Sequence, residues 1–385
     1  MTLASDDSAT PLSAVRGARH ADDTPAYLPT LTGIRAFAAL LVLILHANQF
    51  VPNPISDHVD FLHRGYLGVD LFFILSGYII AHVYLTAFAV PSARSIGIFF
   101  WHRFIRLFPA HAVVLIGLIV LVLAGRSAGI PFRAEDGWSF ADLPWYFLMV
   151  HAWGTVGMMG WNSPSWSISA EWTAYLLFPL IALGLARLPR GTAFIVALCA
   201  LAVTMIAFDL AEWRIKTAWL GAPAIIRVAG EFIFGAALCQ AALFAGRPGG
   251  ARRLLGDLAA PMGLVGYIIA AQLHAQDFIL IGLLALMLLG ASSGGRIARF
   301  LFSRRPAIWL GEISYSVYIV HVPSIFVLRT GFDEIGFETW SGPMRIAAVF
   351  AAIVITISAA AVLFYLVERP VRRRLRNSLG HITTP

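Results

Sequence analysis

The sequence predicts an all-α, polytopic membrane protein of about ten transmembrane helices with both termini in the cytoplasm. Three observations carry that prediction. Of 385 residues, 59% are hydrophobic and only 13% charged, whereas soluble domains carry about 25% charged residues. Apolar stretches near the ~20 residues that cross a bilayer recur from residue 34 to residue 367, which excludes a soluble domain on a single anchor. With the N-terminus placed inside, 20 of the 28 lysines and arginines fall on the inner side. Acidic loop residues such as Asp57, Asp60, Glu135, Asp136 and Asp333 fall mostly outside, as the positive-inside rule requires.

Residues 1–30 are polar and mixed in charge, without the basic-then-apolar pattern of a cleavable signal peptide, and read as a disordered cytoplasmic tail. Residues 31–370 form the membrane domain, and 371–385 a basic cytoplasmic tail. The net charge of +7 is a topology signal with contact to anionic membrane lipids, and no nucleic-acid partner is expected. Cys199 and Cys239 lie in apolar runs and suggest neither a disulfide framework nor a metal site, so no metal is expected. A Gly-x-Ser-x-Gly elbow, a P-loop, a dinucleotide fingerprint and an obvious internal repeat are all missing from the sequence.

The first span, 34–50, carries Arg35 and His46 in "GIRAFAALLVLILHANQF". On a helix they share one face to within about 20° and stand roughly 16 Å apart along the axis. Arg35, at the inner end, also reads as a snorkelling anchor. His46 sits deep in a leucine-rich face, where an ionisable group is costly and tends to mark function. The second span, 67–89, opens "LGVDLFFILSGYIIA" and places Asp70 near its outer end, at the depth of His46. A carboxylate beside an imidazole fixes its tautomer and raises its basicity, although an acid at a helix start is also favoured by the dipole alone.

Between the second span and the third (108–125), "FFWHRFIRLFPAH" bridges in the cytoplasm and sets Arg103 and Arg106 three residues apart. On a helix they make one cationic face that, with His102 and Trp101, suits a phosphate-bearing, ring-bearing ligand, although the spacing alone reads equally as ordinary positive-inside charge. "LPWYFLMVHAWG" is too short to span and reads as interfacial or re-entrant. The fourth span, 168–186, begins "NSPSWSISAEWTAYLLFP", with Ser167 or Ser169 as cap and Glu171 near its first turn and the outer boundary. After the fifth, 192–208, the sixth (224–245) holds Arg227 and Glu231 as an i, i+4 structural ion pair. The seventh and eighth follow at 258–273 and 277–292. The ninth, 309–328, carries His321 in its outer half in "ISYSVYIVHVP", and the tenth is 344–367.

Taken in order, "LTGIRAFAALLVLILH", "GYLGVDLFFILSGYIIA", "RFIR" followed by Pro109, "WSISAEWTAYLLFP", "ISYSVYIVH" and "VERPVRRR" resemble the integral-membrane acyltransferase-3 family of bacterial sugar O-acetylases. The resemblance implies an enzyme of the bacterial inner membrane that passes an acyl group, usually acetyl from acetyl-CoA, to a hydroxyl. Acceptors in the family are mostly cell-surface glycans such as exopolysaccharide and lipopolysaccharide, and in some members macrolides or other small molecules. By motif, Arg35 and His46 match the family's Arg-x(10)-His pair, Arg103 and Arg106 its Arg-x-x-Arg pair, and Glu171 its glutamate after Trp-Ser-x-Ser. His111 stands where a tyrosine is commoner, and "SGYIIA" lacks a frequent threonine. The extracytoplasmic esterase-like domain of longer relatives is not expected.

The resemblance and the topology together suggest a mechanism. Arg103, Arg106 and Arg35 bind the phosphates of CoA, and its thin arm runs into the bundle toward His46. His46 acts as general base, with Asp70 or Glu171 orienting it, and Trp166, Ser169, Tyr315 and His321 contact the acceptor. Direct transfer and an acyl-histidine intermediate both remain open. A proton-coupled transporter or flippase of polysaccharide precursors is the competing class, because it would hold the same buried ionisable groups as a relay.

Overall fold

The structure, a computed structural model, describes residues 28–51, 59–244 and 250–376. The expected tail over 1–30 and most of the basic tail over 371–385 lie outside the described residues. In chain order the helices are α1 (Pro29–Phe50), α2 (Gly68–Tyr84, entered through a 3-10 turn over Asp60–Leu67), α3 (Ala93–Ser127), the short α4 (Leu143–Phe147), α5 (Trp166–Arg187), α6 (Arg190–Leu210), α7 (Gly221–Phe244) and α8 (Gly250–Gln272). They continue with α9 (Asp277–Ser292), α10 (Arg296–Phe302), α11 (Arg305–Glu312), α12 (Ser314–Glu334), α13 (Gly342–Leu363) and, after a π turn over Phe364–Glu368, α14 (Arg369–Arg376). No strand occurs among the described residues.

Among the described residues, seven helical stretches are long and apolar enough to cross a membrane, and nine if each of two bent pairs counts as one span. The bent pairs are α9 with α10, at 109°, and α11 with α12, at 68°. Gly294, at φ +70°, supplies the left-handed backbone between α9 and α10 that other residues adopt reluctantly. The remaining expected crossing, 258–273, falls in α8, which carries Pro261 and is not among the nine. Apolar side chains such as Leu180, Leu198, Val203 and Phe350 stand exposed on the outside of the bundle, a pattern that suits lipid rather than water. The chain is a multi-pass membrane protein.

Helix α3 differs from expectation. The arginine-bearing segment and the third span form one helix of 35 residues, about 52 Å long. It starts at a reciprocal cap: Ser92 Oγ accepts from the Ser95 amide at 3.1 Å, and Ser95 Oγ accepts from the Ser92 amide at 3.0 Å. Two orphan amides are thereby satisfied at once.

Helix α1 is the hub, packed against α2 and against α9 through α13. Helices α2 and α7 meet backbone to backbone. A Cβ on Gly77 would lie 2.0 Å from the Phe232 carbonyl oxygen, and one on Gly235 would lie 1.9 Å from that of Ile74. Only glycine permits that approach, and the same pairing sets Asp70 of α2 against Arg227 of α7.

Candidate active site

Helix α1 runs past two cavities inside the bundle. Arg35, near the start of α1, lines the first, of about 750 Å³. His46, three turns along, lines the second, of about 830 Å³.

The first cavity gathers Arg35 with Ser76 of α2, Arg103 and Arg106 of α3, Glu171 and Tyr175 of α5, and Tyr315 and Tyr318 of α12. Arg103 and Arg106 share it, as their spacing predicts, but their surroundings differ. The Arg103 guanidinium lies over the rings of Tyr84, Tyr175 and Phe99 at 5.6, 5.8 and 6.0 Å, and its Nε has no hydrogen-bond partner among the described residues. Arg106 forms an ion pair with Glu368 and lies 5.1 Å over the Tyr315 ring. Glu368 also accepts from Ser316 Oγ at 2.8 Å and from Arg372 at 3.1 Å. Arg35 makes no hydrogen bond or ion pair with a described residue.

Glu171 departs from its expected place beside His46. It lies in this first cavity, where its Oε1 accepts from Ser76 Oγ at 2.5 Å and from the Tyr175 hydroxyl. Tyr315, expected to touch the acceptor, also lines this cavity, and its hydroxyl donates to the Leu107 carbonyl at 2.5 Å, beside Pro109.

The second cavity is lined by His46 and Gln49 of α1, Tyr66, Trp166 of α5, Lys216 and Trp219, Arg227 of α7, and Tyr318 and His321 of α12. His46 Nδ1 lies 2.9 Å from the Val42 carbonyl oxygen, and His321 Nδ1 lies 2.5 Å from that of Tyr318. A carbonyl only accepts, so both rings carry their proton on Nδ1 and keep a basic lone pair on Nε2. The two rings meet edge to face with centroids 4.7 Å apart, and His321 Nε2 has no partner among the described residues.

Two expectations are corrected here. Asp70 does not orient His46. Both its oxygens accept from Arg227, Oδ1 from Nε at 2.9 Å and Oδ2 from Nη2 at 2.6 Å, in full burial. In low dielectric a carboxylate is tolerable only with such a bidentate partner, so the Val42 carbonyl orients His46 instead. Glu231, expected to pair with Arg227, stands 3.9 Å from its Nε and takes second place. Ser169 lines neither cavity. Its Oγ accepts from the Ala152 amide at 2.9 Å and its carbonyl from Trp153 Nε1 at 3.2 Å, which pins the short aromatic segment to α5. Trp166 lines the second cavity, with the Arg227 guanidinium 5.2 Å over its ring.

Beside α5, and outside the spans, His151 stacks on Tyr146 at 4.1 Å and on His111 at 6.1 Å. Its Nε2 lies 3.0 Å from Ser165 Oγ. Burial, with the neighbouring His111 adding to it, pushes the His151 imidazole down to about 3, so it is neutral in the folded protein. Among the described residues no group of three or more His, Cys, Asp or Glu side chains is placed to hold a metal ion.

Sequence reasoning missed Glu368, Ser76, Tyr175 and Tyr318. Glu368 had a signal, as the lone acid in the basic run "VERPVRRR". The other three look like ordinary residues of apolar helices.

Comparison with known proteins places residues 28–365 within a family model described as an acyltransferase domain, that of acyltransferase-3. The chain is 27% identical to acyltransferase MdmB of Streptomyces mycarofaciens, over 93% of this chain and 95% of that protein. It is 25% identical to the putative peptidoglycan O-acetyltransferase YrhL of Bacillus subtilis (strain 168), over 90% of this chain and 55% of that one. It is 24% identical to O-acetyltransferase OatA of Staphylococcus aureus, over 91% and 58%. The chain thus spans nearly all of the first relative and little more than half of the other two. No solved structure matches it.

Proposed function

The chain belongs to the acyltransferase-3 family and is an O-acyltransferase; on that premise we propose that it moves an acetyl group from cytoplasmic acetyl-CoA to a hydroxyl of a cell-surface or lipid-linked glycan, in the inner membrane of a bacterium. One observation carries the reading. The three arginines open into one cavity, and His46 with His321 into a second that shares Val69 and Tyr318 with the first.

The first cavity fits the donor. Arg35 makes no ion pair with a described residue, and Arg103 offers a flat guanidinium over the rings of Tyr84 and Tyr175, with no partner for its Nε–H among the described residues. Arginines so placed bind phosphates and stack on rings. The second cavity fits the acceptor: Tyr66, Trp166 and Trp219 supply apolar faces for sugar rings, with Gln49 and Lys216 among them as polar contacts. The peptidoglycan named for the Bacillus relative supports a glycan as acceptor.

In the reaction the acceptor oxygen bonds to the thioester carbonyl carbon and the carbon–sulfur bond breaks. His46 Nε2 takes the hydroxyl proton and returns it to the departing sulfur. The Val42 carbonyl holds Nδ1–H and so keeps Nε2 free for that work. Purified protein incubated with labelled acetyl-CoA and soluble peptidoglycan fragments tests the reading. Label on the fragments, with CoA released in step, supports it. Movement of a glycan across vesicles without acyl transfer would return the chain to the transporter class.

A further inference from the structure

Val69 and Tyr318 are the two residues that line both cavities. Tyr318 is an aromatic wall held at its far end. Its hydroxyl accepts from Ser167 Oγ at 2.8 Å and donates to the Pro164 carbonyl at 3.0 Å. Its ring meets Phe72 edge to face at 5.9 Å. Its backbone carbonyl holds His321 Nδ1, and its ring lies 5.5 Å from the His321 ring. The other shared residue is Val69, a buried, short aliphatic side chain on α2, three residues before the Phe72 that Tyr318 meets. An acyl group that starts in the Arg35 cavity and is handed over beside His46 crosses between these two side chains.

We propose that Tyr318 and Val69 form a partition that admits the donor's acyl group to the His46 cavity, sets the acyl length transferred, and keeps water there from the thioester until an acceptor is present. The proposal rests on the donor and acceptor assignments above. The partition's chemistry is steric. A two-carbon acyl group passes a gap between a ring edge and an isopropyl group more easily than a four-carbon one. In the side reaction it suppresses, a water oxygen bonds to the thioester carbon, the carbon–sulfur bond breaks, and one water proton ends on sulfur. The products are the free carboxylic acid and CoA thiol. Tyr318 acts here through position, not as a proton carrier: its hydroxyl is occupied on both sides.

The experiment uses the full chain in lipid nanodiscs with acetyl-CoA or butyryl-CoA and no acceptor, reading CoA thiol release alongside donor binding. Tyr318→Ala is expected to raise acceptor-free release from acetyl-CoA about tenfold, and to raise the butyryl-to-acetyl ratio by a similar factor, the scale set by one or two methylenes in a tight apolar pocket. Tyr318→Phe keeps the ring and loses only its anchor, so it should retain the wild-type acyl preference. Val69→Ala opens the gap from the other helix, should shift both readouts the same way, and decides the matter if Tyr318→Ala does not accumulate. Variants that bind acetyl-CoA as the wild type does, yet show neither extra release nor a changed acyl preference, overturn the partition. Failure of the wild type itself to bind acetyl-CoA would instead overturn the donor assignment.

Discussion

The imidazoles of His46 and His321 meet edge to face, 4.7 Å between centroids, each with Nδ1 tied to a backbone carbonyl of its own helix. Both present Nε2 as the free nitrogen, and both line one cavity. Replacing His46 with alanine should lower acetyl transfer by about 10²–10⁴, the usual worth of a positioned base, with protein abundance unchanged. His321→Ala should reduce the rate less, because His46 keeps its own carbonyl. Label transfer from acetyl-CoA, normalised to protein detected in membranes, checks both. Wild-type rates in His46→Ala would remove the base from the scheme.

The two arginines of "RFIR" should part company on mutation. Arg103 is held by rings rather than by a carboxylate. Arg103→Lys, which keeps the charge and loses the flat fork, should raise the KM for acetyl-CoA about tenfold with little effect on folding. Arg106→Ala leaves buried Glu368 with the half-exposed Arg372 and the Ser316 hydroxyl in place of its closest cation, so it should lower thermal stability as well. Donor titrations beside melting curves in detergent separate the two outcomes.

Breaking the Asp70–Arg227 pair should damage the fold first. Asp70→Asn leaves Arg227 only the more distant Glu231, and Arg227→Met leaves Asp70 and Glu231 buried without that cation, a loss of about 3–5 kcal/mol. The loss falls on α2 and α7, the two helices that pack closely at Gly77 and Gly235. Melting temperature and membrane abundance should fall together. A variant with wild-type stability and lost activity would return Asp70 to the chemistry.

The buried His151 predicts an acid limb in stability. Its folded value is about 3, and its unfolded value is about 6.5. Between these values the unfolded chain binds a proton that the folded chain refuses, so stability is intact above about pH 6.5 and falls as the pH drops toward 3, by at most about 1.4 kcal/mol per pH unit. His151→Gln should flatten that limb in melting curves recorded from pH 7 to pH 4. An unchanged slope would assign the acid sensitivity to other groups.

Arg35, His46 and Glu171 stand out in the sequence because an ionisable side chain inside an apolar run is visible in one dimension, and Arg103 and Arg106 because of their i, i+3 spacing; the structure places them along two cavities. Their partners do not stand out in this way. Arg227 is 157 positions from Asp70, and Glu368 is 262 positions from Arg106, and nothing local in the chain encodes either meeting. Depth misled in the same way. Asp70, Glu171 and His46 were placed at one level, yet Glu171 lies deeper along α5 than Trp166 and lines the arginine cavity, whereas Trp166 lines that of His46. The start of α3 escaped because an apolar window finds the lipid-like stretch, not the helix. The cap at Ser92 carried the signal only weakly, with Ser95 where glutamate or glutamine is usual. Tyr318 had no signal: one tyrosine in an apolar helix reads like any other.

Separate chambers also decide the order of events in turnover. With donor and acceptor in separate cavities, as proposed above, neither would have to leave before the other arrives. Initial rates measured at several fixed acceptor concentrations should therefore give double-reciprocal lines that intersect, the signature of a ternary complex. Parallel lines would mean that the acyl group waits on the enzyme between substrates, with His46 Nε2 as its resting place.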